Sequence, residues 1–211
     1  MKFDVQLIRD LKARLSTLSN ASRRDRILIA VAGPPASGKS TLAEVIAGEL
    51  TAHGHQVAVV PMDGFHLDNA ILEDRDLMSR KGAPETFDAT GFLALVKTLK
   101  KGGATTYPIF DRANDRTIEA GARLGADVDV VLCEGNYLLL DEPLWRDLAT
   151  YWDISIWADV PKEVLKERLI ERWITHGFDT NSATEKALSN DIPNGIRAIE
   201  NRMPADLVAR N

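Results

Sequence analysis

Gly33-Pro34-Pro35-Ala36-Ser37-Gly38-Lys39-Ser40 matches the pattern G-x-x-x-x-G-K-[ST] at every fixed position. Each fixed residue type answers a chemical need. The glycines let the backbone curl until successive N–H groups point inward at phosphate oxygens. Lys39 brings a mobile cation to the β- and γ-phosphates, and the Ser40 hydroxyl can ligate Mg²⁺. The flanks supply the context the pattern needs. Upstream, Ile27-Leu28-Ile29-Ala30-Val31-Ala32 is a short apolar run that reads as a buried strand. Downstream, residues 40–50 are helix formers with Leu42, Val45, Ile46 and Leu50 at helical spacing. A helix N-terminus there adds its dipole to the anion site. The plainer alternative is a glycine turn that merely joins a strand to a helix, and Gly38-Lys39-Ser40 in this setting argues against it. The stretch predicts a nucleoside triphosphate site cradled by Gly33, Ala36, Ser37, Gly38, Lys39, Ser40 and Thr41.

Working outward, Phe3, Leu7, Leu11, Leu15 and Leu18 recur at helical spacing, which predicts an amphipathic helix over 3–19 packed on the domain's sheet. Arg23-Arg24-Asp25-Arg26 reads as a solvated turn. Residues 56–61 read as a second strand with Asp63-Gly64-Phe65-His66 at its carboxyl end. Residues 67–80 look helical but polar, and Lys81-Gly82-Ala83-Pro84-Glu85 breaks them. A helix over about 90–101 stops at Gly102-Gly103. Residues 105–110 surround Pro108, which suits an edge strand or a hairpin arm. Residues 128–134 form an apolar strand ending in Glu134, and 144–149 read as helical. Residues 152–158 form another strand, and Pro161 opens a helix running to about 176. Helices over 183–189 and 196–202 and a short strand over 205–208 complete the chain. Apolar strands alternating with helices predict an α/β fold with a mostly parallel sheet covered on both faces.

With no linker, the 211 residues read as a single domain over 1–211. A formal net charge of −5 gives no electrostatic footprint for nucleic acid. No apolar run approaches the roughly 18 residues that span a bilayer. Acids at Asp4 and Asp10 argue against a signal peptide, so the chain reads as cytoplasmic and without a membrane partner. Cys133, the single cysteine, sits in an apolar run and reads as a small buried hydrophobe. No Cys/His cluster suggests a structural metal.

In an open parallel sheet, ligands bind outside the carboxyl ends of the strands. Three such ends carry suitable groups: the phosphate loop, Asp63 and Glu134. Asp63 can orient or deprotonate an acceptor hydroxyl or hold Mg²⁺ through water; it can equally be a turn aspartate capping the next helix. Glu134 fits the metal shell, or is simply a strand-end residue in contact with solvent. Arg168 and Arg172 share one helix face. They fit a lid that neutralises phosphate charge, or a solvated face paired with Glu163, Glu167 and Glu171. Arg80, Lys81, Arg112 and Arg116 lie in segments that overhang the acceptor side. His66 is a candidate acceptor contact, while His53 and His55 read as surface turn residues. An Asn-Lys-x-Asp segment, which a guanine reader would need, is missing.

Together, Gly33 to Ser40, Asp63-Gly64-Phe65, Lys81-Gly82-Ala83-Pro84-Glu85-Thr86-Phe87-Asp88, Tyr107 and Glu134-Gly135 resemble the P-loop superfamily of uridine kinase, phosphoribulokinase and bacterial pantothenate kinase. Pro61-Met62-Asp63-Gly64-Phe65-His66-Leu67-Asp68-Asn69 and Glu134-Gly135-Asn136-Tyr137-Leu138-Leu139-Leu140 look most like bacterial proteins provisionally labelled fructose transport system kinases. The resemblance covers most of the chain from about residue 25 onward.

It implies a five-stranded parallel core with a helical lid, here about 162–190, ATP as phosphate donor, and Mg²⁺. It implies that Asp63 is the catalytic aspartate, acting with Lys39, and that Arg168 and Arg172 are lid arginines. Ser40, Glu134 and Asp63 become the metal-holding set, and Phe65, His66, Lys81, Tyr107, Arg112 and Glu134 the substrate-facing one. Uridine kinases carry a histidine shortly after a Tyr-Asp-Phe segment. The comparable Phe110-Asp111-Arg112-Ala113-Asn114-Asp115-Arg116 lacks it, so the small hydroxyl acceptor is open. A homodimer is open too. The rival reading is a regulatory ATPase or switch subunit linked to sugar transport.

Overall fold

The computed structural model describes residues 5–19 and 26–210. Phe3, with which the sequence expectation opens its first helix, and Arg23, Arg24 and Asp25 lie outside the described residues. The chain begins with α1 (Val5–Ser19), β1 (Ile27–Ala32), α2 (Lys39–Ala52), β2 (Val57–Pro61), α3 (Asn69–Asp74) and α4 (Ala89–Lys101). The hairpin β3 (Thr105–Asp111) and β4 (Arg116–Leu124) follows, then β5 (Val130–Gly135) and β6 (Ile154–Asp159). The last elements are α5 (Lys162–Thr175), α6 (Thr180–Lys186), α7 (Ile192–Glu200) and β7 (Leu207–Arg210), with a π-helical turn over Ala187–Asp191.

β1 is buried along its whole length, and alternate side chains feed different cores. Leu28, Ala30 and Ala32 join Phe92, Val96 and Leu99 of α4 with Tyr137 and Trp145. Ile27, Ile29 and Val31 join Leu7, Leu11 and Leu15 of α1 and Leu42, Ile46 and Leu50 of α2. This is the period-two consequence of a strand covered on both faces. The sheet order is β2-β5-β1-β6-β7, parallel throughout. Cys133 is fully buried, and burial pushes its thiol pKa up, as suits a packed hydrophobe.

Among the described residues the structure departs from the sequence expectations over 67–80, over 144–149, at β4 and at Arg26; the helices expected over 183–189 and 196–202 are instead α6, the π-helical turn and α7. Over 67–80 only Asn69–Asp74 is α-helical, because Asp76 adopts a left-handed φ of 54° that ends the run. Over 144–149 the chain makes a 3₁₀ turn, Arg146–Thr150, after Leu144 at φ 70°. β4 has no counterpart in the sequence reading. Most of its side chains face solvent, so no apolar alternation marks it. Arg26 is buried at 3 % exposure rather than solvated. Its guanidinium donates to the carbonyl oxygens of Val128 (2.8 Å), Gly103 (2.9 Å) and Gly125 (3.0 Å), tying three loops below the sheet. Planar donors spread over carbonyls offset the cost of burying the charge.

Among the described residues no helix is long and apolar enough to cross a membrane. The apolar stripe of α1 lies on the sheet instead, and burial of a leucine there contributes about 1.5–3 kcal/mol. Leu11→Ala should therefore lower stability by about 2–5 kcal/mol in urea unfolding, the range for a buried leucine truncation. An unchanged midpoint would mean that α1 is not docked on the sheet.

Candidate active site

The phosphate loop leaves β1 through a backbone that only particular residues permit. Ala36 and Gly38 adopt left-handed φ angles of 62° and 85°, turning successive amides to one side. At Gly33 a Cβ would stand 2.6 Å from Ser37 Oγ and 3.0 Å from the Ala158 carbonyl oxygen, so the loop closes only around glycine. α2 then starts at Lys39, which places the loop on the helix N-terminus.

Strand register aligns the other two groups with this loop. Val31 on β1 and Pro61 on β2 both pair with Glu134 on β5. Glu134 is buried at 6 % exposure and shares a hydrogen bond with the Ser40 side chain, while its Oε2 has no hydrogen-bond partner. Burial pushes the Glu134 carboxyl pKa up; Lys39 opposes this and Asp63 reinforces it. Asp63 sits one turn beyond β2 and forms an ion pair with Arg112 from the β3–β4 hairpin. Gly64 makes that approach possible, because a Cβ there would fall 2.0 Å from the Pro108 carbonyl oxygen.

The phosphate loop, Asp63 and Arg112 open onto a cavity of about 450 Å³; Glu134, expected among the substrate-facing residues, is buried and does not line it. Lys39, Asp63, His66, Lys81, Arg112 and Arg172 all line it, as the sequence predicts of them. Lys81 Nζ reaches Asn69 Oδ1 at 2.6 Å and Asp115 Oδ1 at 2.7 Å. The His66 ring lies between Phe87 and Phe110, with centroids 4.1 and 4.7 Å away, and its buried Nδ1 has no hydrogen-bond partner. Arg168 reaches back from α5 to the Ala36 carbonyl oxygen at 3.4 Å, so it contacts the phosphate loop rather than only the glutamates of its own helix.

Other candidates stand elsewhere. Phe65 is packed edge-on against Phe92 in the core. Tyr107 donates its hydroxyl to the Val59 carbonyl oxygen at 3.3 Å, behind β2. Neither lines the cavity; both support it from beneath. Arg80 pairs with Glu85 at 2.9 Å instead of facing the cavity, and Arg116 stands opposite Asp111 in the hairpin.

Several cavity residues escaped the sequence reading: Asn136, whose buried Oδ1 has no hydrogen-bond partner, Asp115, and Trp173, His176, Asp191 and Asn194 of the helical region. Asn136 follows Glu134 by two positions, a usable signal. Trp173, Asp191 and Asn194 carry no local pattern and meet only in the fold.

The sequence profile of the Phosphoribulokinase / Uridine kinase family matches residues 28–208. The chain belongs to this family. It is 35% identical over 200 residues to the protein YggC of Escherichia coli, covering 92% of this chain and 81% of that protein. A pantothenate kinase of Klebsiella pneumoniae is 31% identical over 167 residues, which is 74% of this chain but only 52% of that enzyme. A crystal structure from Silicibacter sp. TM1040, of a protein provisionally named a fructose transport system kinase, superposes with a TM-score of 0.91. The two are 45% identical, over 95% of this chain and 98% of the other. The family's α/β P-loop fold is thus present here.

The His66 imidazole pKa is pulled down to about 4, chiefly by burial, with Lys81 and Arg112 acting in the same direction and Asp63 and Asp115 opposing. A ring titration followed by NMR should show a midpoint near that value instead of the ordinary value of about 6.5. Because the folded-state pKa is depressed, the stability contributed by neutral His66 is complete above the unfolded value. It is lost as pH falls toward the folded one. A midpoint above pH 6 would mean that the ring is open to water.

Proposed function

We propose that this chain is an ATP-dependent kinase that transfers the γ-phosphate to a hydroxyl of a small metabolite: a sugar, a sugar derivative, a nucleoside or a pantothenate-like alcohol. The observation that carries this reading is the convergence of three neighbouring strand ends: the phosphate loop and Asp63 reach the rim of one cavity, and Glu134 lies buried level with them on the strand between. Residues 1–211 then act as a single kinase domain, with 162–190 as its lid.

In this reading the loop N–H groups beyond Pro34 and Pro35, up to Thr41, and the Lys39 ammonium hold the β- and γ-phosphates. The Ser40 hydroxyl and the Glu134 carboxylate hold Mg²⁺, with Asp63 acting through water. The fit rests on Glu134, whose buried Oε2 lacks a hydrogen-bond partner beside the Ser40 side chain. Among the described residues no cluster of three or more His, Cys, Asp or Glu forms a metal cage. That suits an ion held by one or two carboxylates and the phosphates themselves. When bound, Mg²⁺ neutralises charge on the β- and γ-oxygens.

Asp63 accepts the hydrogen bond of the acceptor hydroxyl, and Arg112 holds the carboxylate in place. The acceptor oxygen bonds to the γ-phosphorus as the bond to the bridging oxygen breaks and ADP leaves, and the hydroxyl proton departs along its hydrogen bond to Asp63. Since this transition state is loose, Asp63 contributes mainly position. Arg168 and Arg172 fold over the phosphates and exclude water, which would otherwise compete as the acceptor. His66 Nδ1 and Asn136 Oδ1 offer hydrogen bonds to acceptor hydroxyls, and Phe87, Phe110 and Trp173 cover its apolar surface.

The test is a screen of sugars, sugar phosphates, nucleosides and pantothenate for ATP-to-ADP conversion, with mass detection of the phosphorylated product. A kinase requires the added acceptor; slow hydrolysis regardless of acceptor would favour the regulatory ATPase instead. With the acceptor in hand, Asp63→Asn should keep ATP binding while turnover falls on the order of 10²- to 10⁴-fold. Unchanged turnover would remove Asp63 from the mechanism.

A further inference from the structure

We propose that Asn190, Asn194 and Arg197 are positioning residues that hold the acceptor loop, residues 80–88, in register with the lid. The three positions are four and three residues apart, so they form one stripe where the π-helical turn runs into α7. Every one of them is engaged along that stripe. Asn190 Nδ2 donates to the Lys81 carbonyl oxygen at 2.7 Å. Asn194, only 3 % exposed, donates from Nδ2 to Asn190 Oδ1 at 3.0 Å, which fixes the Asn190 amide with its NH₂ toward Lys81. Arg197 Nη1 donates to Glu85 Oε2 at 2.8 Å, while its Nε and Nη2 grip both Glu142 oxygens at 2.8 and 2.5 Å.

The loop so held supplies Lys81, Gly82 and Phe87 to the cavity wall. Its far end is held by the His66–Phe87 bridge, where the Leu67 N–H donates to the Thr86 carbonyl oxygen at 3.0 Å and the Asp88 N–H to that of Phe65 at 2.8 Å; at Lys81 the main chain is held from α7 by Asn190. Tyr137 donates its hydroxyl to the Gly82 carbonyl oxygen at 2.6 Å from below, and Gly82 itself takes a φ of 99°. The same segment also touches the donor half. A Cβ at Gly195 would stand 3.0 Å from Leu165 of α5 and 3.7 Å from Pro34 and Pro35 of the phosphate loop. Trp173 of α5 donates its Nε1–H to Asp191 at 2.6 Å, at the end of the π-helical turn. π-helical turns inside helices recur at functional sites because they shift side-chain register. α7 is thus a strut between phosphate loop, lid helix and acceptor loop, and nucleotide binding tightens the acceptor wall through it.

This inference rests on the triphosphate reading, and hydrogen exchange separates the two. AMP-PNP with Mg²⁺ is titrated first, by calorimetry, against the wild-type chain and Asn190→Ala. Amide exchange in 82–88 is then followed with and without the probe. The wild type should bind AMP-PNP and show slower exchange in the loop. Asn190→Ala should bind equally well yet lose that protection by about tenfold, the scale of one hydrogen bond to the backbone. Asn181→Ala, on the exposed outer side of α6, should behave as wild type. With the acceptor from the screen, Asn190→Ala should raise its KM and leave that for ATP unchanged, a split that general destabilisation would not produce. Wild-type binding without loop protection, or protection retained in Asn190→Ala, would overturn the inference and leave the triphosphate reading intact. No AMP-PNP binding by the wild type would overturn both.

Discussion

Parallel pairing of β1 with β5, and of β5 with β2, holds Val31 and Pro61 level with Glu134, and the whole site follows from that level. Three chain segments leave the sheet at one height. The first curls into the phosphate loop, the second turns back at Asp63, and the third ends in a carboxylate. Two glycines keep the segments close. A side chain at Gly135 would place its Cβ 2.5 Å from that of Met62, and one at Gly64 would strike the backbone of Pro108. Main-chain geometry, set by hydrogen bonding of buried strands, therefore decides where the reactive side chains stand.

That arrangement gathers charges that would not otherwise share a low-dielectric space. Lys39, Lys81, Arg112 and Arg172 face the same cavity as Asp63, Asp115 and Asp191, with Glu134 beneath. An isolated buried charge is costly, and pairing offsets much of the cost. In Asp63 with Arg112 and in Lys81 with Asp115 the first partner is sheltered and the second stays open to solvent, which lowers the cost further. The upward push on Glu134, caused first by burial, shows a carboxylate that pairing within the protein satisfies only in part. Fixed donors and charges of this kind stabilise developing charge without reorganising, which is the largest lever enzymes have on phosphoryl transfer.

How much of this was legible in the sequence follows the range of the interactions. The phosphate loop, the buried strands and the helices α2, α4 and α5 depend on neighbours within a turn or two, and their patterns read correctly, whereas 67–80 and 144–149 are broken by left-handed residues that no apolar period marks. Pro108 marked a hairpin arm for a reason that also held: a residue without an N–H breaks the ladder, and the β3–β4 register shifts between Tyr107 and Ile109. β4 and Arg26 were misread because their environments come from distant segments. An exposed strand has no apolar period, and the carbonyls that bury Arg26 lie some 70 to 100 positions away. Phe65 and Tyr107 show the same limit inside the site. Their place beside the motif is local information, but whether a ring faces ligand or core depends on α4 and β2.

The two halves of the site are consequently held by different kinds of force. The donor half is main chain: loop amides, a helix terminus and strand ends, all determined by residues close in sequence. The half we assign to the acceptor is mostly side chain, drawn from the turn after β2, the 80–88 loop, the β3–β4 hairpin and the segment from α5 to α7. A side-chain wall can be rebuilt by substitution without disturbing the sheet, whereas the phosphate loop tolerates little change at Gly33 or Gly38. A family named for both phosphoribulokinase and uridine kinase is in keeping with that division. It also explains why this chain declares its phosphate donor in eight consecutive residues and keeps its acceptor in contacts that only the folded chain assembles.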